Sequence, residues 1–540
     1  VRRRNFLRWL VGGLAAAWAG VRPRADVRAE SYSFRHGVAS GDPLTDAVIL
    51  WTRVSGGTGE RIGVDWQIAT DPELTAVLKS GRFDTGADRD YTVKVDVRGL
   101  PPGSTLYYRF KIDGTSSPTG RTRTLPAGTI DSARFAVVCC SNYVAGYFHA
   151  YREIATRDDL DAVIHLGDYI YEHGLGGYAT EHAEELGRVP QPVHEAITLE
   201  DYRLRYAQYK ADPDSQALHA AHPLIAVWDD HEIANNAWHD GAENHNEGEG
   251  PWPVRRDAAI KAYFEWTPIR GKADGANTRI FREFRFGQLL SLIMLDTRLY
   301  GRDRQPAIDP RMEREAAQRI IDDPQRRMLG EEQSAWLGEA LSRAKDTTWQ
   351  VIGQQILVAA VRSPDLEPLL DPDRPAGISR KELDYHVAMS KLDLPLLLDS
   401  WEGYPAARER LLAEVGKTCA NPVFLSGDLH TALAANLVPR GSEETLAVEF
   451  MAPSVTSPGF GQSLPLRRPG ALSDATLALN PNLAYMETDH RGWLCMTFTA
   501  SDCTGEWRLL DGVRSHDYVS STDRRLSVAA GRRADGLVEG

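Results

Sequence analysis

A chain of 540 residues with 42% hydrophobic and 25% charged residues has the composition of a globular protein with an ample core, and its length corresponds to roughly three to four domain-sized units. A mean hydropathy of -0.37 excludes a polytopic membrane protein, and a net charge of -13 argues against a stable nucleic-acid partner, because phosphate backbones are gripped by basic surface. A phosphate substrate stays open, since bound cations invert the local field.

Residues 1–30 read as a targeting segment: Arg2-Arg3-Arg4-Asn5-Phe6-Leu7-Arg8, an apolar run over 9–19 too short to span a bilayer comfortably, then Ala25 and Ala29 near a cleavage point. An arginine pair followed by Phe-Leu resembles a twin-arginine export signal, which implies the twin-arginine machinery as a partner and a secreted or periplasmic protein that crosses the membrane folded. Over 31–128 short alternating strands at 47–51, 62–69, 90–97 and 106–112 are separated by turns such as Leu100-Pro101-Pro102-Gly103, the pattern of a fibronectin-like β-sandwich without catalytic chemistry.

From residue 129 the period changes. A buried strand at 135–140, a helix near 147–156 and a second strand at 162–166 read as a parallel crossover unit, and further strands are expected at 224–228, 289–295, 349–352 and 423–425. Long insertions at 237–253 and 301–324 lie at strand ends, where loops of that length carry function. The catalytic segment is taken as 129–515, with 516–540 as a frayed tail. Five cysteines are present, and Cys495 and Cys503 fall in a hairpin that could be bridged after export, although connectivity cannot be read from sequence.

Three apolar runs end in acids: His165-Leu166-Gly167-Asp168, Trp228-Asp229-Asp230-His231-Glu232 and Leu425-Ser426-Gly427-Asp428-Leu429-His430. Carboxylates and an imidazole delivered at strand ends are how an α/β protein gathers ligands around metal. Singly these residues have plain rivals. Cys140 beside Cys139 is a small hydrophobe, Asp168 a helix cap, Tyr171 a packed aromatic, His430 a core histidine, and Asp296 with Arg298 a buried ion pair.

Together with His36-Gly37-Val38-Ala39-Ser40-Gly41-Asp42-Pro43, Leu50-Trp51-Thr52-Arg53, Cys140-Ser141-Asn142, Asp168-Tyr169-Ile170-Tyr171-Glu172 and Leu295-Asp296-Thr297-Arg298, the motifs stand in an order that resembles the PhoD-like alkaline phosphatases and phosphodiesterases, a branch of the calcineurin-like metallophosphoesterases. The resemblance spans roughly residues 34–510. It implies an α+β chain in which the N-terminal β-sandwich precedes a four-layer α/β/β/α catalytic domain, acting as a monomer on phosphate mono- or diesters through a metal-activated oxygen nucleophile.

A thiolate beside a phenolate suits a strongly Lewis-acidic ion, because a phenol of pKa near ~10 ionises at neutral pH only under high positive charge. Cys140, Asp168, Tyr171 and His430 are therefore assigned to Fe3+. Asp168, Asp230, Asp428 and Asn235, or its neighbour Asn236, form an oxygen-rich second site that calcium, magnesium or manganese would suit, and the resemblance implies Ca2+. The superfamily's counterpart of His231 faces substrate, so His231 is expected to stabilise the transition state or protonate the leaving oxygen, and Arg298 to clamp phosphate. Rival readings are a phospholipase D-like phosphodiesterase acting on phospholipid, a surface binding protein with a degenerate metal site, and an oxygen-using iron enzyme, which would want two histidines and one carboxylate.

Overall fold

In a computed structural model, the described residues are 32–56, 61–271, 279–395 and 397–540. The twin-arginine segment lies outside them. Two large sheets organise the chain, and each is built around strands buried on both faces. That burial is why the strands read as unbroken apolar runs rather than alternating ones.

The first sheet has ten strands. At its centre Ser132–Val138, Ala162–His165, Pro223–Ala226 and Val38–Gly41 run parallel, flanked by antiparallel Ala47–Arg53 and Thr92–Arg98 on one side and Arg491–Thr499 and Asp502–Leu510 on the other. The second sheet has seven strands, with Leu290–Met294, Trp349–Gly353, Pro422–Ser426 and Ala447–Met451 parallel at its centre. The sheets pack face to face through aromatic contacts: Phe135 meets Phe286 edge to face at 4.9 Å, and Phe450 stacks on Trp507 at 5.8 Å. Val423 and Leu425 belong to this shared core, whereas Phe424 between them turns outward to meet Leu337, Leu341, Leu411 and Leu412 of helices Gly330–Arg343 and Pro405–Thr418. Helices Leu199–Ala211 and Trp252–Trp266 cover the outer face of the first sheet through Tyr202, Tyr206 and Tyr263. The result is the expected α/β/β/α layering.

The N-terminal β-rich region has a core of its own, formed by Val48, Leu50, Val64, Ile68, Val93, Tyr108 and Phe110. A five-stranded sheet supplies half of it. The other half comes from strands of the ten-stranded sheet, because Val38–Gly41 pairs in parallel with Pro223–Ala226. Arg282 binds Asp42 at 2.7 Å and Trp51 Nε1 donates to the Glu265 carbonyl at 2.8 Å, so the region is continuous with the catalytic layers.

Two expectations need correction. The stretch after residue 515 is not frayed: Ser520–Ala529 is a strand paired with Asp502–Leu510, and only Leu526 and Val528 of it are buried, which is why it carries no apolar period. Cys495 and Cys503 are both free thiols. Cys495 lies opposite Glu506 and Cys503 opposite Phe498, so the register sends the two side chains to opposite faces of the hairpin. Among the described residues no helix is long and apolar enough to cross a membrane.

Candidate metal centre

The acid-bearing motifs follow the C-terminal ends of parallel strands in both sheets, and the sheet packing brings those ends together. Cys140 follows Ser132–Val138, Asp168 follows Ala162–His165, Asp230 follows Pro223–Ala226, and Asp428 with His430 follows Pro422–Ser426. Three of these four strands end in a sharp reversal. Cys140 (φ 58°), Asp168 (φ 53°), Asp428 (φ 67°) and His430 (φ 53°) all adopt the left-handed conformation that residues with a β-carbon rarely take. Such strain gathers where a site demands a fixed geometry.

Ligand-type atoms of Cys140, Asp168 and His430 lie within 4.8 Å of one another, as do those of Asp229, Asp230 and Asp428, and those of Asp168, Asp230 and His231. The Tyr171 hydroxyl donates to Asp168 Oδ2 at 3.0 Å, contacts His430 Nε2 at 3.2 Å and accepts from Ser457 Oγ at 2.7 Å. Asn235 is on the turn after Asp230, half-buried, with its backbone N–H donating to Glu172 at 2.7 Å. Its side chain makes no hydrogen bond among the described residues.

The electrostatics suit cations. Burial and the neighbouring carboxylates of Asp230, Asp229, Glu232 and Asp428 push the Asp168 carboxyl well above its ordinary range. Burial likewise raises Asp428 against the opposing pull of Arg298, and raises Asp229 to about 6. Buried like charges at this spacing are costly unless positive charge is added. The donors divide by chemistry, with thiol, phenol and imidazole around one side of Asp168 and carboxylates around the other. These residues therefore fit a soft-to-hard pair of cations.

Arg298, expected to clamp phosphate, is engaged with carboxylates instead of facing open space. It is fully buried, and its fork is committed to Asp229, to Asp428 at 2.7 Å and to Asp399 at 3.3 Å. Asp296 does not pair with its guanidinium but accepts the backbone N–H groups of Arg298 and Leu299, both at 2.9 Å. His239 and His245 sit in the insertion beside Asp240 and Glu249, away from these clusters.

Two residues inside the quoted motifs prove structural to the centre without having been singled out. Glu232 accepts the backbone N–H groups of Asp168 at 3.0 Å, Tyr169 at 2.5 Å and Asp229 at 2.7 Å, tying two ligand loops together. Glu172 holds His231 Nδ1 at 2.7 Å and also accepts from Asn244 at 2.9 Å. Burial alone would lower the His231 pKa, but Glu172 and Asp230 outweigh it and raise it to about 9. The sign in sequence was an acid immediately following a candidate functional residue and buried with it.

Strand ends from two packed sheets that converge on a strained, carboxylate-rich cluster define a hydrolase of metallophosphoesterase type. A family model described as PhoD-like phosphatase matches residues 135–507, and one described as its N-terminal domain matches 19–126. Alkaline phosphatase D of Bacillus subtilis (strain 168) is 34% identical over 508 residues, covering 91% of this chain and 80% of the relative. A solved structure of PhoD superposes with a TM-score of 0.80 at 32% identity, covering 94% of this chain and 92% of the other. The chain belongs to the PhoD-like phosphatase family.

Proposed function

We propose that the protein is an exported, metal-dependent phosphoesterase acting on phosphate monoesters and diesters at alkaline pH, with Fe3+ held by Cys140, Asp168, Tyr171 and His430 and Ca2+ held by Asp168, Asp230, Asp428 and Asn235. The observation that carries this reading is the left-handed backbone at Cys140, Asp168, Asp428 and His430. Four strained residues at three strand ends gather ligand-type side chains, and none of those ligand types is lost. When bound, the cations supply charge neutralisation at phosphorus and polarise the attacking oxygen.

The chain's own groups do the rest. Glu172 orients the His231 ring and favours its protonated form, so His231 can deliver a proton to the departing ester oxygen while Tyr171, stacked on it at 4.2 Å, restrains the ring. Glu232 fixes the spacing of the loops on which Asp168 and Asp230 ride. Elemental analysis of purified protein, with hydrolysis of a chromogenic monoester and its diester, tests the reading. Iron and calcium with a charge-transfer colour are expected, and Asp168→Asn should abolish colour and activity. A colourless but active protein rejects the iron assignment.

An apolar cleft favours a second substrate class. Leu357, Leu397, Leu429, Phe460 and Leu472 line a narrow cleft of about 40 Å³, and Leu429 lies between Asp428 and His430. Such apolar walls match an acyl chain in chemistry, and a phospholipid would have to widen the cleft to enter it. The phospholipase D-like reading expects long-chain phosphodiesters to outcompete short-chain ones, and equal rates for both would remove it. The paired arginines ahead of Phe6-Leu7 support twin-arginine export, which lysine substitution of Arg2-Arg3-Arg4 should block.

A further inference from the structure

Two residues outside every motif read in the sequence touch the thiol and phenol side of the centre directly. The first is Tyr178. A tight turn precedes it, with the Gly177 N–H donating to the Gly174 carbonyl at 3.0 Å and Gly176 at φ 88°, and the Leu175 N–H pins that turn to the Val193 carbonyl at 2.7 Å. The turn folds Tyr178 back over the segment it leaves, so that its ring stacks on Tyr171 and on His430, both at 6.1 Å. Its hydroxyl contacts His430 Nδ1 at 3.1 Å, while His430 Nε2 faces the Tyr171 hydroxyl at 3.2 Å. One nitrogen of the imidazole is thereby turned to the cluster and the other to Tyr178.

The second is Ser457, from the seven-stranded sheet's side of the centre. Residues 454–457 follow Ala447–Met451 and lie along the backbone of Cys139 to Asn142. Ser454 bridges to Cys139, the Ser457 N–H donates to the Cys140 carbonyl at 3.3 Å, and the Thr456 hydroxyl donates to the Asn142 carbonyl at 2.7 Å. From this fixed backbone the fully buried Ser457 hydroxyl reaches the Tyr171 oxygen at 2.7 Å and lies 3.2 Å from the Cys140 carbonyl.

Both contacts fall on atoms that ligation makes demanding. An imidazole that gives Nε2 to a cation keeps its proton on Nδ1, and that proton needs an acceptor, which the Tyr178 oxygen provides. A ligand oxygen that accepts a hydrogen bond is fixed in direction and holds its lone pairs at lower energy. Resting on the iron assignment above, we infer that Tyr178 and Ser457 are positioning residues of the metal centre, Tyr178 aiming His430 through Nδ1 and Ser457 holding the Tyr171 oxygen. Each acts through a ligand and touches neither cation nor substrate.

The test uses the full-length, metal-loaded protein with Tyr178→Phe and Ser457→Ala, each of which removes one oxygen and keeps the rest of the packing. Iron affinity is measured by competition with a chelator, the charge-transfer band by absorption, and melting on the metal-free proteins. Loss of such an outer contact costs about 10–100-fold in metal affinity. Tyr178→Phe should fall near the lower end, because the Pro458 carbonyl also interacts with the His430 ring. Its band should keep the parent's wavelength at reduced occupancy. Ser457→Ala should move the band to longer wavelength, since the phenol oxygen then holds its electrons less tightly. Metal-free melting should change little in either variant. Iron affinity of Tyr178→Phe within about twofold of the parent overturns the role of Tyr178, and an unmoved band in Ser457→Ala overturns that of Ser457. A parent protein that carries no iron refutes the iron assignment instead. Titration of the metal-free proteins with Co2+, followed through thiolate absorption from Cys140, then judges both residues by the same twofold limit.

Discussion

Replacing Arg298 by Met separates two roles that sequence alone could not. The guanidinium has no solvent exposure and touches Asp229, Asp399 and Asp428, with Asp230 at 3.8 Å. Methionine keeps much of the volume and removes the charge, leaving those carboxylates facing one another. Breaking a buried ion pair from one side costs about 3–5 kcal/mol, so the metal-free variant should melt several degrees below the parent. The loss should grow with pH, by the following sign. Arg298 pulls the Asp229, Asp230 and Asp428 pKa values down. Without it the folded pKa values of Asp229 and Asp428 rise further above the unfolded ones and that of Asp230 loses a cause of its depression, and a carboxyl raised in the folded state loses stability as pH climbs toward that folded value. Melting of metal-free parent and variant at pH 5 and pH 9 should therefore show the larger gap at pH 9, and excess Ca2+ should narrow it. A variant that melts like the parent at both pH values, yet shows KM raised about tenfold, would refute this reasoning and restore the phosphate clamp.

Other expectations are equally direct. Gly167→Ala should lower stability by about 1–3 kcal/mol and disturb metal binding, because a β-carbon there would lie 2.5 Å from the Asp229 backbone nitrogen at φ 114°; unaltered metal stoichiometry would contradict it. Burial raises Glu402 from its ordinary 4.5 to about 8, so folding takes up a proton, and the stability this provides is full below pH 4.5 and lost as pH rises to 8. Glu402→Gln, which keeps the acceptor for the Val361 N–H at 2.9 Å, should raise the melting temperature at pH 9 and change it little at pH 4, with an upper bound of about 5 kcal/mol; equal effects at both pH values would refute the assignment. Glu232→Gln should weaken metal retention under chelator more than it lowers the melting temperature of metal-free protein, since three backbone donors then share a neutral acceptor. Titration of unfolded protein without reductant should find all five cysteines as thiols, and melting should be indifferent to reductant.

What could be read from the chain follows from what each segment must bury. Strands such as Pro422–Ser426 are covered on both faces, so their apolar runs are continuous and the acids at their ends stand out. Ser520–Ala529 has water on most of its length and is held by backbone pairing and polar cross-strand contacts such as Thr522 with Glu506, which no apolar pattern records. Cys495 and Cys503 looked bridgeable because separation in sequence says nothing about parity in register. The harder case is Arg298. An arginine just past a strand end beside a metal site has the same local signature whether it faces substrate or balances ligands, and the difference is made by Asp399 and Asp428, about a hundred residues or more away. Ligands are legible because metal chemistry restricts their residue types, whereas the role of a charge depends on which opposite charge the fold leaves beside it. For a phosphatase of this kind the first property locates the centre, and the second is visible only in the fold.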